Sequence, residues 1–363
     1  MQLTMMGIGT AVPASRLDQR DTVGRLEEAL KGDPERSKWA TRIFRHCGVD
    51  TRYTCEPNLS EPAERCRYLP VSPEVAIPAT EDRMRTYELQ SVPLALRASA
   101  RALDDSRVAR NEITHLIVAS CTGMFLPGLD TVLARELDLP QDITRVPLTF
   151  LGCAAGLTAI REAARIVRAD PTAKALVVAV ELCTIHIQPS FDKEHLFTAA
   201  FFGDGASACV IGYSEGPDSG QFALGDTRSV TLPATQGAMK WTVGNYGFRL
   251  ELSPLIPRII ADAVPPVVEA FWSKTPWPKL WAIHPGGQAI IDAVAKTFRL
   301  AEKQTEASRS VLREFGNMSS ATILFVMDAL RRQAQPGGDR TEGIALAFGP
   351  GVVAELLQFS YRP

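Results

Sequence analysis

The stretch Pro147-Leu-Thr-Phe-Leu-Gly-Cys-Ala-Ala-Gly-Leu-Thr-Ala-Ile160 is the most informative part of this chain. Its apolar first half is typical of a buried strand, which Gly152 ends. Cys153 follows directly, and the small residues after it begin an amphipathic pattern that predicts a helix to about Arg168. A thiol at a helix N-terminus meets free backbone N–H groups and the positive end of the helix dipole, which favour thiolate. A free cysteine is otherwise a small buried hydrophobe, so this segment alone leaves both interpretations open.

The composition is that of a folded, water-soluble protein with a large core. The 363 residues are 45% hydrophobic and 22% charged, with a formal net charge of −2. This balance gives no electrostatic reason to expect binding to nucleic acid or to an anionic membrane. No apolar run approaches the ~20 residues that span a bilayer, and no signal peptide is evident. Seven irregularly spaced cysteines without a Cys-x-x-Cys pair favour a cytoplasmic location over a disulfide framework.

Metal binding is not expected from the cysteine and histidine pattern. Cys183 and His186 have a spacing that suits a metal, but no second pair completes a tetrahedral site. We therefore predict no metal site.

Strand-like and helical runs alternate over most of the chain, which predicts an α/β fold with largely buried sheets. Residues 56–82 are rich in Pro, Glu and Arg and predict a surface excursion, and residues 214–220 are the best internal boundary. Predicted strands are 3–9, 115–120, 146–151, 175–181, 206–212, 230–235, 280–283, 343–348 and 352–361. Predicted helices are 86–103, 129–137, 156–168, 256–272, 288–298, 304–315 and 320–333.

The two halves of the chain repeat one local pattern. Cys153 and Asn317 each follow a glycine and each precede small residues that begin an amphipathic helix. An internally duplicated fold would build one site in this way, where two helix N-termini converge. The same pattern is also a common way to begin a helix, so coincidence stays open.

His284 adds a third candidate functional residue. It follows an apolar strand and precedes a Gly-Gly turn, and ligand sites of α/β sheets gather at such strand ends. A structural hydrogen-bonding histidine and an ordinary helix N-cap are the alternatives for His284 and Asn317. Together with Cys153 they suggest a thiolate–imidazolium pair and an amide donor. Papain-like proteases share this order, but their cysteine lies near the mature N-terminus, whereas 152 residues precede Cys153.

Five motifs, in this order, carry a resemblance that spans essentially the whole chain. They are Phe150-Leu-Gly-Cys-Ala-Ala-Gly156, Phe202-Gly-Asp-Gly-Ala-Ser207, Ile283-His-Pro-Gly-Gly287, Phe315-Gly-Asn-Met-Ser-Ser-Ala-Thr322 and Ala347-Phe-Gly-Pro-Gly351. The chain resembles bacterial-type type III polyketide synthases, the chalcone synthase-like branch of the thiolase-fold condensing enzymes. The resemblance implies an α/β thiolase-like fold with a duplicated αβαβα five-layer core. Residues 1–214 would form the half with the nucleophile, and residues 221–363 the half with His284 and Asn317.

The resemblance also implies the chemistry. Cys153 would accept an acyl group from coenzyme A, and His284 and Asn317 would polarise the malonyl thioester as carbon dioxide leaves. Two preorganised N–H donors suit this step, because decarboxylation develops negative charge on the thioester oxygen. Acyl-CoA and malonyl-CoA would be substrates, with no permanently bound cofactor.

The remaining site residues also follow from the resemblance. Phe202 and Phe248 match two gatekeeper aromatics between a coenzyme A tunnel and an acyl cavity. Arg42 and Arg45 match basic residues for the coenzyme A phosphates, although Trp39 and His46 stand where lysines are usual. Backbone at Gly287 and Ala289 would line the pantetheine arm. Positions matching the acyl cavity are Cys121, Thr122, Cys183, His186, Thr198 and Ser319.

Product and partners are predicted on softer grounds. Two cavity cysteines and the loop 240–248, which resembles bacterial alkylpyrone and alkylresorcinol synthases, favour an aliphatic starter. A pyrone, resorcinol or phloroglucinol-type product would follow. The loop Gly123-Met-Phe-Leu-Pro-Gly128 matches one that crosses a dimer interface, which predicts a homodimer. A single-condensation ketoacyl synthase III-like enzyme, a non-catalytic acyl-CoA-binding homologue and a thiol hydrolase are the alternatives, and the Gly349-Pro-Gly351 loop argues against the first.

Overall fold

The computed structural model describes residues 1–69, 74–215, 220–233, 235–335 and 337–363. Within these ranges the chain forms a mixed α/β structure. The strands are β1 (Gln2–Ala11), β2 (Ser15–Asp18), β3 (Thr51–Thr54), β4 (His115–Ser120), β5 (Thr144–Thr149), β6 (Ala175–Leu182), β7 (Asp204–Ser214), β8 (Phe222–Thr231), β9 (Met239–Gly244), β10 (Gly247–Leu252), β11 (Leu280–Ile283), β12 (Thr341–Gly349) and β13 (Val353–Tyr361). The α-helices are α1 (Gln19–Ala29), α2 (Pro34–His46), α3 (Thr80–Ser106), α4 (Leu129–Glu136), α5 (Ala155–Ala169), α6 (Lys193–Phe201), α7 (Ile256–Phe271), α8 (Gln288–Phe298), α9 (Glu302–Phe315) and α10 (Thr322–Gln333).

Nine strands form one sheet in which two halves repeat the same pairing. The order is β11-β12-β13-β8-β1-β7-β6-β4-β5. In the first half, β1 and β7 are antiparallel, β7 and β6 are antiparallel, and β6 and β4 are parallel. The second half repeats this series. There, β8 and β13 are antiparallel, β13 and β12 are antiparallel, and β12 and β11 are parallel. Within the sheet, the two halves are joined where Thr4 and Met5 of β1 pair with Ala223 and Phe222 of β8.

Five layers follow from which faces of this sheet are covered. Helices α5 and α10 lie in the middle and pack apolar side chains against one face of each half-sheet. Helices α3 and α4 cover the outer face of the first half, and α7 and α8 cover the outer face of the second. Helix α5 is buried around most of its circumference, as a central layer requires. The arrangement α-β-α-β-α confirms the predicted duplicated five-layer core.

Several predicted elements match the structure at both ends, and others do not. Strands 115–120 and 280–283 and helix 288–298 are as predicted. The predicted strand 230–235 is wrong, because the strand in this region is β8. Only the first three residues of β8 are buried, and polar residues follow them, so it shows no apolar run. The predicted loop 240–248 is instead a hairpin, β9–β10.

Two predicted features lie partly outside the described residues. These are positions 70–73 of the predicted surface excursion and positions 216–219 of the predicted boundary. The division into halves 1–214 and 221–363 stays a prediction. In the part of the chain that the structure covers, no helix has the length and apolarity to cross a membrane.

Candidate active site

The turn between β5 and α5 presents Cys153 to a large cavity. A 3-10 turn, Gly152–Ala154, leads from the strand region into the helix. Gly152 has a φ of +61°, and a Cβ on it would lie 2.4 Å from Cδ of Pro350. The position therefore requires glycine for both its conformation and its space. The Gly-Pro-Gly loop between β12 and β13 packs on the residue that precedes Cys153.

Asn317 reaches the same cavity from the second half of the fold. Its backbone N–H donates to the carbonyl of Phe201 at 2.7 Å, and its carbonyl accepts from Gly203 at 3.0 Å. Its Oδ1 accepts from the backbone N–H of Ser319 at 2.8 Å. The amide nitrogen, Nδ2, lies 3.9 Å from Cys153 Sγ. Oδ1 lies at the same distance from Sγ, and Nδ2 also donates to the carbonyl oxygen of Gly286 at 3.4 Å. These contacts hold the side-chain amide beside the cysteine.

The starts of α5 and α10 touch each other. A Cβ on Gly156 would lie only 2.3 Å from the carbonyl oxygen of Ser320. This close approach brings the turn that holds Cys153 next to the turn that follows Asn317. The convergence of two helix N-termini, predicted from the repeated sequence pattern, is therefore present.

His284 follows β11 and is 1% exposed. Its backbone N–H donates to Leu346 at 2.8 Å, while neither ring nitrogen has a hydrogen-bond partner among the described residues. Burial lowers the pKa of His284 to about 3. The ring is therefore neutral in this geometry.

Burial also raises the pKa of Cys153 to about 11, although side-chain hydrogen bonds from Ser319 and Asn317 act in the opposite direction. In this geometry burial therefore favours a neutral thiol and a neutral imidazole over the thiolate–imidazolium pair, which stays a prediction. Desolvation penalises both charged forms. No hydrogen bond between Cys153 and His284 compensates for it within the described ranges.

One cavity of about 660 Å³ brings most of the predicted site together. Its size lies within the usual range for small-molecule sites. Predicted site residues that line it are Cys153, His284, Asn317, Phe202, Gly287, Ala289, Thr198 and Ser319. Apolar side chains that the sequence did not single out complete the wall, including Ile43, Met239, Trp241, Leu250, Leu252 and Phe348.

The predicted phosphate-binding residues do not line this cavity but lie beside it. Arg42 and Arg45 line a shallow surface depression of about 670 Å³ together with Lys31 and Lys38. His46 lines both the depression and the cavity. Arg45 is also held by an exposed ion pair to a glutamate of α1 at 3.2 Å. The structure thus places a basic surface beside the cavity, and the phosphate-binding role of Arg42 and Arg45 stays a prediction.

Phe248 is not among the residues that line the large cavity. Its ring stacks on His186 at 4.4 Å, and both side chains line a separate cavity of about 30 Å³ with Cys183. Leu250, two residues later on the same face of β10, lines both cavities. Phe202 lines both cavities, so the two predicted gatekeeper rings meet at the small one, and the gatekeeper role of Phe248 stays a prediction.

Cys121 and Thr122 lie behind Cys153 around a buried carboxyl group that the sequence analysis missed. Glu181 accepts hydrogen bonds from Thr122 Oγ1 at 2.8 Å and from the Cys121 backbone N–H at 3.0 Å, and a third from the Ser320 hydroxyl. Burial raises the pKa of Glu181 to about 7, although these hydrogen bonds act against the shift. Its only signal in the sequence is an acidic residue near the end of the apolar run of β6.

His186 has both ring nitrogens engaged by the backbone, at Thr122 and Phe248. In the described part of the chain, no group of three or more His, Cys, Asp or Glu side chains is arranged to hold a metal ion.

Comparison with known families decides what this site belongs to. The sequence matches the N-terminal domain of chalcone and stilbene synthases over residues 2–215 and their C-terminal domain over residues 224–360. The chain belongs to the chalcone and stilbene synthase family. It is a type III polyketide synthase, and thus an acyltransferase that condenses acyl-CoA with malonyl-CoA.

Relatives and solved structures agree with this assignment. The chain is 33% identical to "Alpha-pyrone synthesis polyketide synthase-like Pks18" of Mycobacterium tuberculosis, over 97% of this chain and 90% of that protein. It is 30% identical to "Phloroglucinol synthase" of Pseudomonas fluorescens, over 95% of each. The C-terminal type III polyketide synthase domain of Steely1 from Dictyostelium has a TM-score of 0.89, 27% identity and complete coverage of both chains. These similarities confirm the thiolase-like fold.

Proposed function

We propose that this type III polyketide synthase loads an aliphatic acyl group on Cys153 and extends it with malonyl-CoA. The extended chain is cyclised to a pyrone, resorcinol or phloroglucinol-type product. The observation that carries the proposal is the convergence of Cys153, His284 and Asn317 on one largely apolar cavity.

In the loading step, the neutral ring of His284 serves as the proton acceptor. Cys153 Sγ attacks the acyl-CoA carbonyl, its proton passes to the imidazole, and the coenzyme A thiolate leaves. The proton then passes from the imidazolium to the departing thiolate. The acyl chain remains as a thioester on Cys153.

In the extension step, His284 and Asn317 serve as donors. Their side-chain N–H groups stabilise the thioester oxygen of malonyl-CoA as its C–C bond to the carboxylate breaks and carbon dioxide leaves. The enolate carbon attacks the Cys153 thioester, and the cysteine thiolate leaves. The product is a β-ketoacyl-CoA that is two carbons longer. Its acyl group is either transferred to Cys153 for another extension or cyclised.

The aliphatic starter is supported by the wall of the cavity. Met239, Trp241, Leu250 and Leu252 present an apolar face of the β9–β10 hairpin to it. Apolar surface of this kind favours a hydrocarbon chain by burying it from water. The names of two relatives, an alpha-pyrone synthase-like protein and a phloroglucinol synthase, support the product classes.

The test is incubation with radiolabelled malonyl-CoA and a panel of starters, from acetyl-CoA to palmitoyl-CoA and with p-coumaroyl-CoA. We expect carbon dioxide release and extended cyclic products with the aliphatic starters. Products that stop after a single condensation would favour a ketoacyl synthase III-like activity. If no starter gave either carbon dioxide release or chain extension, the proposal would be overturned.

A further inference from the structure

The small cavity that Phe248 lines adjoins the wall of the large one. It has a volume of about 30 Å³ and is lined in part by Cys183 and His186. A space of this size holds about two water molecules and no acyl chain.

Four side chains line both cavities, and we call them the partition. They are Thr198, Phe202, Trp241 and Leu250. Trp241 and Leu250 lie directly opposite each other on the paired strands β9 and β10. Thr198 and Phe202 come from the C-terminal end of α6. The partition is therefore formed between one helix end and one hairpin.

Behind the partition, His186 and Phe248 are held in place. Their rings stack with an interplanar angle of 9°, and Trp241 packs edge-on against His186 at 5.8 Å. His186 Nε2 lies 2.7 Å from the carbonyl oxygen of Thr122, and Nδ1 accepts the N–H of Phe248 at 2.9 Å. A carbonyl only accepts, so Nε2 carries the proton and the ring has one orientation. The far side of the small cavity is thus fixed.

We propose that the partition sets the longest acyl chain that Cys153 can carry, and that Leu250 decides this length. The proposal rests on the acylation of Cys153 proposed above. Phe202 and Trp241 are each packed against further aromatic rings, whereas Leu250 is the one aliphatic hydrocarbon side chain of the partition and is only partly buried against the neighbouring apolar cluster. Truncating Leu250 joins the two cavities, and enlarging it shortens the path available to the chain.

The experiment compares Leu250→Ala and Leu250→Phe with the wild-type enzyme. Single-turnover acylation of Cys153 by saturated acyl-CoAs of increasing length is followed by intact-protein mass. We expect Leu250→Ala to shift the longest efficiently loaded chain upward and Leu250→Phe to shift it downward. Each methylene that gains or loses a buried position should change the acylation efficiency about fourfold.

The matched control is Arg249→Ala on the same strand. Arg249 is exposed and pairs with Glu251 on the opposite face of the hairpin from Leu250. The dependence of acylation on chain length in Arg249→Ala should therefore equal that of the wild type. Leu250→Met, which conserves volume, should also retain that profile. If circular dichroism shows that Leu250→Ala is unfolded, the smaller truncation Leu250→Val takes its place and should also shift the longest loaded chain upward.

The outcomes separate this inference from the proposed function. Unchanged profiles in folded variants at Leu250, with acylation intact, would overturn the role of the partition and leave the proposed function standing. A wild-type enzyme that no acyl-CoA acylates would instead overturn the proposed function, and the partition would then limit nothing on Cys153.

Discussion

Cys153 and Asn317 lie 3.9 Å apart at their nearest polar atoms, yet we expect them to govern different half-reactions. Cys153→Ala should abolish acylation and extension while retaining some malonyl-CoA decarboxylation, because it removes the nucleophile and leaves the donors. Asn317→Ala should lower decarboxylation about 10²–10³-fold, the usual effect of losing one such donor, and still become acylated.

Carbon dioxide release and intact-protein mass measure the two activities separately. The exposed Asn111→Ala serves as the control and should behave as the wild type. Failure of Asn317→Ala to become acylated at all would contradict this division of roles.

Glu181 should make the stability of the fold depend on pH near neutrality. Burial raises its pKa from 4.5 to about 7 in the folded protein. The folded state therefore holds this proton more tightly than the unfolded state. The stability that this adds is fully present below about pH 4.5 and is lost as the pH rises through about 7.

Glu181→Gln removes this titration. Between about pH 4.5 and about pH 8, the free energy of unfolding of the wild type should fall relative to the variant by about 3 kcal/mol. Urea unfolding of both proteins across this range measures the difference, and a difference that does not change with pH would contradict the raised pKa.

At the scale of single residues, the sequence identified side chains that motifs mark and missed those that only packing reveals. Cys153 and Asn317 each follow a glycine, His284 stands two residues before Gly286, and the structure brings all three to one cavity. Glu181 and Leu250 carry no such mark. The Glu181 carboxyl group is buried and is hydrogen-bonded from two distant segments, and Leu250 is placed by a strand register. The charge states of Cys153 and His284 also depend on burial, which no local pattern records.

At the scale of elements, the contact between α5 and α10 leaves no room for a side chain. Gly156→Ala should destabilise the protein by about 1–3 kcal/mol, as overpacking does, because its Cβ would meet the Ser320 carbonyl at 2.3 Å. It should also lower activity by displacing the turn that follows Asn317.

Gly24→Ala is the matched control for that substitution. Gly24 is exposed within α1, and a Cβ on it would have no neighbour within 4 Å. Alanine there should stabilise the helix by about 0.5–1 kcal/mol. Denaturant unfolding measures both variants, and equal effects at the two glycines would contradict the crowding at Gly156.

Elements with long apolar patterns were predictable, and those that depend on tertiary contacts were not. The interior strand β6 and the central helix α5 are apolar along most of their length, so their patterns are clear. The hairpin β9–β10 is exposed over much of its surface and belongs to a separate two-stranded sheet. Its sequence therefore resembles a loop, and the hairpin's position over the cavity comes from contacts with α3 and with the turn Cys183–His186.

At the scale of the whole molecule, the loop after β4 presents an apolar side chain to solvent. Leu126 is 93% exposed and Met124 is 52% exposed, an arrangement that suits a buried position between two copies. We expect the protein to sediment as a homodimer and Leu126→Ser to shift it towards the monomer. Leu255→Ser, at another exposed leucine, should leave the dimer intact. A wild-type monomer at all concentrations would contradict the predicted dimer.

The pairing of β1 has a consequence for how the chain is made. Its partners β7 and β8 begin about 200 residues later, so at about 5–20 residues per second the ribosome needs roughly 10–40 s to supply them. During that time Leu3, Met5 and Ile8, which end in the core, have no native partner strand. Nascent chains of this enzyme should therefore be clients of ribosome-associated chaperones until the middle of the sheet has been synthesised.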